Sequence, residues 1–377
     1  MRRLFVLVAA VILVDTMFYA AIAPLLPQYA DDLGLSKSEA GVLSAAYAAG
    51  TLLAALPSGW LAARLGVKRT MLVGLALLSC SSVAFAFAET AAILDLARFA
   101  QGVGGACAWT GGLAWLLAEA PPGRRGELIG SALAAAIAGL LLGPVLGGIA
   151  TVAGPEPVFS SVAVIAAGLA AWVLSTHAAA RPQHPDLRRV GRAILSRPVL
   201  IAFWLVALPS LLSGALDVLV PLRLDDLGAS GVAVGAVFLV AAAIEACVSP
   251  LIGRFSDRRG RGVPIRFGLL VTIPVTLLLP VPASVVVLGL VVVAVILGMS
   301  LIWTPAMALL SDNSERVGLD LVFATALVSL SWAGGQVVGG SAFSRLAEQS
   351  SDALAYALIA GLFALTAVWQ IATRPTA

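Results

Sequence analysis

Residues 253–261 read GRFSDRRGR, and 194 positions earlier residues 59–69 read GWLAARLGVKR. At that offset Gly59, Arg64 and Gly66 fall on Gly253, Arg258 and Gly260. Pro27, Asp31, Asp32, Leu33 and Gly34 fall on Pro221, Asp225, Asp226, Leu227 and Gly228, while Gly104, Trp109, Thr110 and Ala114 fall on Gly298, Trp303, Thr304 and Ala308. A single offset held over roughly eighty residues marks a duplicated unit. Whatever this chain folds into is built twice.

The solvent of that unit follows from its charge. Only 11% of the 377 residues are charged and 60% are hydrophobic, against about 25% charged in a soluble domain. So few charges cannot cover a water-facing surface, so most of the surface must face lipid. A spanning helix needs about 20 apolar residues. Such runs are readable at 4–28, 39–62, 70–88, 92–118, 127–153, 158–176, 198–222, 232–254, 264–281, 284–311, 319–345 and 353–372. They take up nearly the whole length and leave no segment for a soluble catalytic domain. Residues 21–23 (Ala-Ile-Ala) resemble a signal-peptidase site, but the apolar run is too long and Pro24 disfavours cleavage, so the first helix is expected to be retained. The organisation expected is a six-helix bundle over 1–176, a cytoplasmic linker over 177–197 and a second six-helix bundle over 198–377.

Lysine and arginine placement orients the spans. With Arg98 inside helix 4, 19 of the remaining cations fall on the side of the N-terminus and linker and 3 (Lys37, Arg223, Arg345) on the other. Both termini and the linker are therefore expected in the cytoplasm, in a multi-pass protein of the cell membrane. This asymmetry accounts for the basic net charge, and no nucleic-acid partner is inferred from it.

A turn that must bend the backbone sharply needs glycine. Asp257 is the single acid in the basic turn 253–261; it could pair with a neighbouring arginine or sit at another helix N-terminus, and in one conformation only it would act as a latch. With these residues in view, the chain resembles the major facilitator superfamily. Its signature loop after helix 2, G-x-L-A-D-R-x-G-R-K, is similar to Gly59, Arg64 and Gly66, and the repeat after helix 8 to Gly253, Asp257, Arg258, Gly260 and Arg261. The first copy has Ala63 where the pattern has aspartate. The resemblance implies an all-α membrane fold of twelve transmembrane helices in two pseudo-symmetric six-helix bundles. It also implies a latch that favours the outward-facing state and that here should depend on Asp257.

Residues 94–106, LDLARFAQGVGGA, are similar to the family's helix 4 motif through Arg98, Gln101, Gly102 and Gly104. Residues 139–148, GLLLGPVLGG, match its helix 5 motif through Gly139, Gly143, Pro144, Gly147 and Gly148. The resemblance implies a proton-coupled exporter, especially a drug antiporter, with Arg98 in proton transfer. On the residues alone, Gly139, Gly143 and Gly147 share one helix face, where small side chains let two helices pack closely, and Pro144 adds a bend. Both readings of the motif stand, and Arg98 could equally bridge to Asp95.

A charge in mid-bilayer costs at least about 2.5–3.5 kcal/mol. Asp15 lies about 16 Å into helix 1, with Thr16 and Tyr19 extending a polar patch, and Glu245 lies near the middle of helix 8. Burial disfavours the charged form of a carboxylate, so an acid so placed could take a proton from one side, release it to the other and exchange it for a cationic substrate. The alternative for Asp15 and Glu245 is a static polar contact. Asp217 is expected at the outer rim of a cavity. Tyr19, Tyr47, Trp109, Trp204, Trp303, Trp332 and the polar Gln101 and Gln336 line the cavity or pack between helices.

No G-x-x-x-x-G-K-[ST] loop exists, which argues against ATP hydrolysis. Both histidines fall in the linker and the three cysteines on separate segments, so no catalytic or metal site and no cofactor is expected. The reading is a monomeric secondary transporter, not an enzyme. It exports small lipophilic or cationic compounds such as drugs or metabolites by proton antiport and alternating access. The alternatives are a proton symporter importing a sugar or organic acid, and a transport-inactive sensor or scaffold.

Overall fold

The computed structural model describes residues 2–120, 125–177, 195–319 and 321–372; most of the expected linker lies outside them, as does the C-terminal end. Among the described residues the structure is all-α. The first half comprises α1 (Arg2–Ala20), α2 (Ile22–Leu33), α3 (Lys37–Leu65), α4 (Val67–Ala86), α5 (Ala91–Ala118), α6 (Arg125–Ala153) and α7 (Pro155–Ser175). The second comprises α8 (Arg197–Asp226), α9 (Gly231–Arg259), α10 (Gly262–Leu278), α11 (Val285–Arg316), α12 (Leu321–Val337), a π-helical turn (Val338–Phe343), α13 (Ser344–Gln349) and α14 (Asp352–Ala372). Nine spans among the described residues are long and apolar enough to cross a membrane. In lipid every backbone N–H and C=O must be satisfied within the protein, which helices achieve segment by segment.

Two of the expected helices are interrupted. The first apolar run breaks at Ala21 and continues to Leu33. Pro24 lacks an amide hydrogen and its ring clashes with the carbonyl four residues back, at Ala20, which is where α1 stops. The eleventh run passes through the π-helical turn at 338–343 before resuming as α13.

The chain forms two compact units: residues 1–35, 42–187 and 231–236 in one, residues 36–41, 188–230 and 237–377 in the other. Within each, the duplication shows in geometry. Gly34 and Gly228 both adopt positive φ (64° and 83°), as do Gly66 and Gly260 (90° and 82°). These repeat-related sites end helices or turn the chain, and L side chains rarely tolerate that conformation. Gly59 and Gly253, expected to serve the same turns, instead lie inside α3 and α9. A Cβ at Gly59 would meet nothing within 4 Å, and one at Gly253 only Thr304 Cγ2 at 4.0 Å.

Glycine also sets the helix packing. In the first unit a Cβ on Gly74 would lie 2.6 Å from the Gly104 carbonyl oxygen; in the second a Cβ on Gly268, 194 residues on, would lie 3.0 Å from that of Gly298. The stripe on α6 is a seat for α1. Cβ atoms at Gly139, Gly143 and Gly147 would run into Leu13 O, Met17 O and Ala21 O in turn. In the second unit Gly335 and Gly339 meet α8 in the same way, at Ala207 O and Leu211 O, positions that repeat Leu13 and Met17. This is the close-packing reading of the helix 5 motif. Gly148, by contrast, has only Val232 Cα at 3.8 Å.

The seat has a measurable consequence. Gly143→Val places its branched side chain against Met17 O (2.8 Å from the Cβ) and Ala20; it should cost about 3 kcal/mol or more, the upper end of overpacking penalties. Gly168→Ala in α7, where a Cβ meets nothing within 4 Å, should stay within about 1 kcal/mol of the parent. Thermal unfolding in detergent checks both, and equal melting temperatures for the two variants would refute the seat.

Candidate functional site

Asp15, on α1, is fully buried at 0% exposure. One of its oxygens, Oδ2, accepts two hydrogen bonds: from Tyr47 Oη on α3 at 2.9 Å and from Trp109 Nε1 on α5 at 3.2 Å. The other, Oδ1, accepts none among the described residues. A proton can therefore join or leave Oδ1 while both donors stay on Oδ2.

Room for the carboxylate comes from Gly105. A Cβ there would stand 2.9 Å from both Asp15 oxygens and 2.7 Å from Tyr47 Oη. On the neighbouring turn of α5, Gly102 brings α3 close: its Cβ would fall on the Tyr47 carbonyl. That approach carries the Tyr47 ring to Asp15.

Arg98, 1% exposed, supplies the cation of this cluster. Its Nη1 donates to Gln101 Oε1 at 2.8 Å, and Nη2 to the Tyr19 carbonyl at 3.2 Å. The guanidinium carbon lies 5.4 Å from the Tyr47 ring centroid and 5.7 Å from that of Tyr19, within cation–π range. The two tyrosine rings are themselves 4.7 Å apart. Asp15, Tyr19, Tyr47, Arg98, Gln101 and Trp109 thus form one connected group within the first unit.

Thr16 departs from expectation. Its hydroxyl bonds back to Ile12 O at 2.8 Å and packs against Gly139 of α6. Successive residues on a helix point about 100° apart, so Thr16 belongs to the α1–α6 seat while Asp15 points toward α3 and α5.

The second unit joins its polar candidates in pairs. Ser300 Oγ on α11 donates to Glu245 Oε1 on α9 at 3.0 Å, and Gln336 Nε2 on α12 lies 3.4 Å from Asp217 Oδ2 on α8. Trp303 is half-buried on α11. Trp204, expected to line the cavity or pack between helices, donates to Thr366 Oγ1 on α14 at 3.0 Å and is 38% exposed, which is the packing alternative.

At the charged turns, Asp257 pairs within its own unit. Arg261 Nη1 reaches Asp257 Oδ1 at 2.9 Å and Nη2 reaches Asp312 Oδ2 on α11 at 3.2 Å. In the first unit Arg64 lies over the Trp60 ring, 4.3 Å from its centroid. Arg258 is exposed. Sequence reasoning missed Asp312, Ser300 and Gly105. The first two announce themselves only through partners on other helices, and Gly105 is one small residue among several.

Comparison with known proteins places this architecture. The family model of the Major Facilitator Superfamily matches residues 8–340. The MFS-type transporter ppzB of Metarhizium majus is 32% identical over 185 residues, covering 46% of this chain and 40% of the relative. The quinolone resistance protein NorA of Staphylococcus aureus is 31% identical over 155 residues, covering 41% and 39%. The chain thus spans about two fifths of the length of these curated relatives. A crystal structure of a D-xylose-proton symporter superposes with a TM-score of 0.78 over 99% of this chain and 98% of that one, at 16% identity, a likeness of fold alone. With a family match across most of its length and a fold of paired, membrane-spanning helical units, the chain belongs to the Major Facilitator Superfamily, the multi-pass membrane transporters.

Proposed function

We propose that the protein is a proton-coupled exporter of small lipophilic or cationic compounds, working by alternating access, with Asp15 as the proton-carrying group. The observation that carries this reading is the Asp15 carboxylate: wholly buried, held through one oxygen by Tyr47 and Trp109, with its second oxygen accepting no hydrogen bond among the described residues. A proton and a substrate cation compete for that anion, so binding of one releases the other. The aromatic faces of Tyr19, Tyr47 and Trp109 suit a lipophilic cation, which ring quadrupoles attract. The likeness of about two fifths of the chain to a quinolone resistance protein supports the export direction. Arg98, anchored by Gln101 and the Tyr19 carbonyl, keeps a compensating positive charge near the site in both protonation states of Asp15.

In everted vesicles holding an inside-acid gradient, addition of a transported lipophilic cation should dissipate the gradient, read by the fluorescence of a pH-sensitive dye. Asp15→Asn keeps the shape of the carboxylate and cannot take up or release the proton; it should reduce the response to the vesicle background. An undiminished response in the Asn variant would sink the role assigned to Asp15, and a substrate gradient that builds a proton gradient in the same direction would indicate symport instead.

Gly105→Ala should lower coupled transport about tenfold, equivalent to about 1.4 kcal/mol in the rate-limiting barrier, because the added methyl displaces the carboxylate from Tyr47. Initial rates in the same vesicles measure this; a variant as fast as the parent would show that the position of the carboxylate does not matter.

A further inference from the structure

The second unit carries a groove of about 480 Å³ on its surface, between α8 and α14. From α8 it is lined by Leu200, Ile201 and Trp204, and from α14 by Leu365, Thr366 and Trp369. These spacings of three and four residues put each set on one helix face. Leu200, Trp204 and Leu365 are 45%, 38% and 69% exposed, open to whatever surrounds the unit.

Most of the lining is apolar. The single hydrogen-bonding group of Trp204 is engaged by Thr366 at 3.0 Å, so the inner part of the groove offers an outside molecule mainly hydrocarbon and ring faces. At the mouth stands Arg197, the first residue of α8, exposed and with no carboxylate in ion-pair range among the described residues. Asn313 Nδ2 anchors the adjoining backbone by donating to the Pro198 carbonyl at 2.9 Å. From Arg197 to Trp204 the groove runs about 10 Å along the helix axis. Arg197 also lies on the side to which the lysine and arginine asymmetry assigns most of the cations, where anionic lipids attract basic residues. Tryptophans near helix ends are at home at headgroup depth.

A cation at the rim and an apolar channel running inward fit an amphiphile with an anionic head. We propose that this groove binds an anionic glycerophospholipid of the arginine-rich leaflet, its phosphate on the Arg197 guanidinium and an acyl chain lying along Leu200, Trp204 and Leu365. The site is separate from the Asp15 cluster, and its occupancy does not depend on what is transported.

The test is native mass spectrometry of the full chain reconstituted with equal amounts of phosphatidylglycerol and phosphatidylcholine of one chain length, then stripped with mild detergent. The parent should retain phosphatidylglycerol over phosphatidylcholine. Arg197→Gln should lose that retention about fivefold, the size expected for one cation near an anionic surface. Leu365→Trp, which fills the groove and leaves Arg197 in place, should lose it too, while Arg316→Gln, an exposed cation of the same side, should not. Equal retention of the two lipids by the parent would overturn the proposal, as would an Arg197→Gln protein that elutes and melts like the parent and holds as much phosphatidylglycerol. Displacement of the lipid by excess glycerol phosphate would assign the site to a free phosphate and overturn it as well. If Leu365→Trp fails to fold, the Arg197→Gln comparison decides.

Discussion

Backbone-to-backbone contact between the first and fifth spans is the interaction on which each unit depends. Lipid tails are as apolar as leucine, so membrane helices gain little by hiding hydrocarbon from one another and associate through close packing. Where Gly139, Gly143 and Gly147 carry only hydrogen, the carbonyls of Leu13, Met17 and Ala21 come into van der Waals range of α6. A single Cβ at any of the three would force the helices apart. The contact fixes the rotation of α1 as well as its distance, because Thr16 is committed to the α6 side. Asp15, one residue back, is thereby turned toward α3 and α5.

That rotation makes the buried carboxylate tolerable. Taking an ion out of water costs several kcal/mol in a real protein interior, and hydrogen bonds to a charged group return about 1.5–3 kcal/mol each. The two donors on Oδ2, Tyr47 and Trp109, therefore oppose the burial cost with a contribution of the same order. Gly105 serves the carboxylate sterically, since any side chain there would occupy its place. Packing glycines and chemical residues thus form one construction: the seat on α6 aims the acid, and the gap on α5 receives it.

Much of this was legible in the sequence because lipid leaves few choices. The apolar runs mark the spans, and the offset of 194 marks the duplication, which the paired positive-φ glycines 34/228 and 66/260 display in the backbone. Asp15 stood out as an acid in mid-span, and the glycine face of helix 5 as a packing surface. What stayed hidden depends on rotation and on partners distant in sequence. Counting residues locates Thr16 beside Asp15 but not the 100° between their directions. Nothing local to Tyr47 says that its hydroxyl ends 2.9 Å from a carboxylate 32 residues away. Arg261 was read as part of a turn, and its bridge from Asp257 to Asp312 requires α11 to pass beside it. Pro24 was weighed against cleavage of the chain, whereas in the structure it interrupts the first span.

The duplication also separates scaffold from chemistry. Several positions that shape the backbone keep their identity between the halves: Gly34 and Gly228, Gly66 and Gly260, Gly74 and Gly268, Gly104 and Gly298. Positions in the Asp15 cluster do not. Asp15, Tyr47, Arg98, Gln101 and Gly105 fall on Pro209, Ala241, Val292, Val295 and Met299. Of the side chains around the carboxylate only Trp109 has its like, in Trp303. The reverse holds as well: Glu245, Ser300, Asp217 and Gln336 fall on Thr51, Ala106, Ala23 and Leu142. Close-contact glycines divide: the α4–α5 pair Gly74 and Gly104 is repeated in Gly268 and Gly298, whereas Gly102 and Gly143, equally tight, fall on Ile296 and Val337. A buried ionisable group carries a desolvation cost each time it is repeated. Two units built alike can therefore differ in their polar groups without losing the fold, and among the described residues the fully buried acid with its aromatic donors, Asp15, belongs to the first unit.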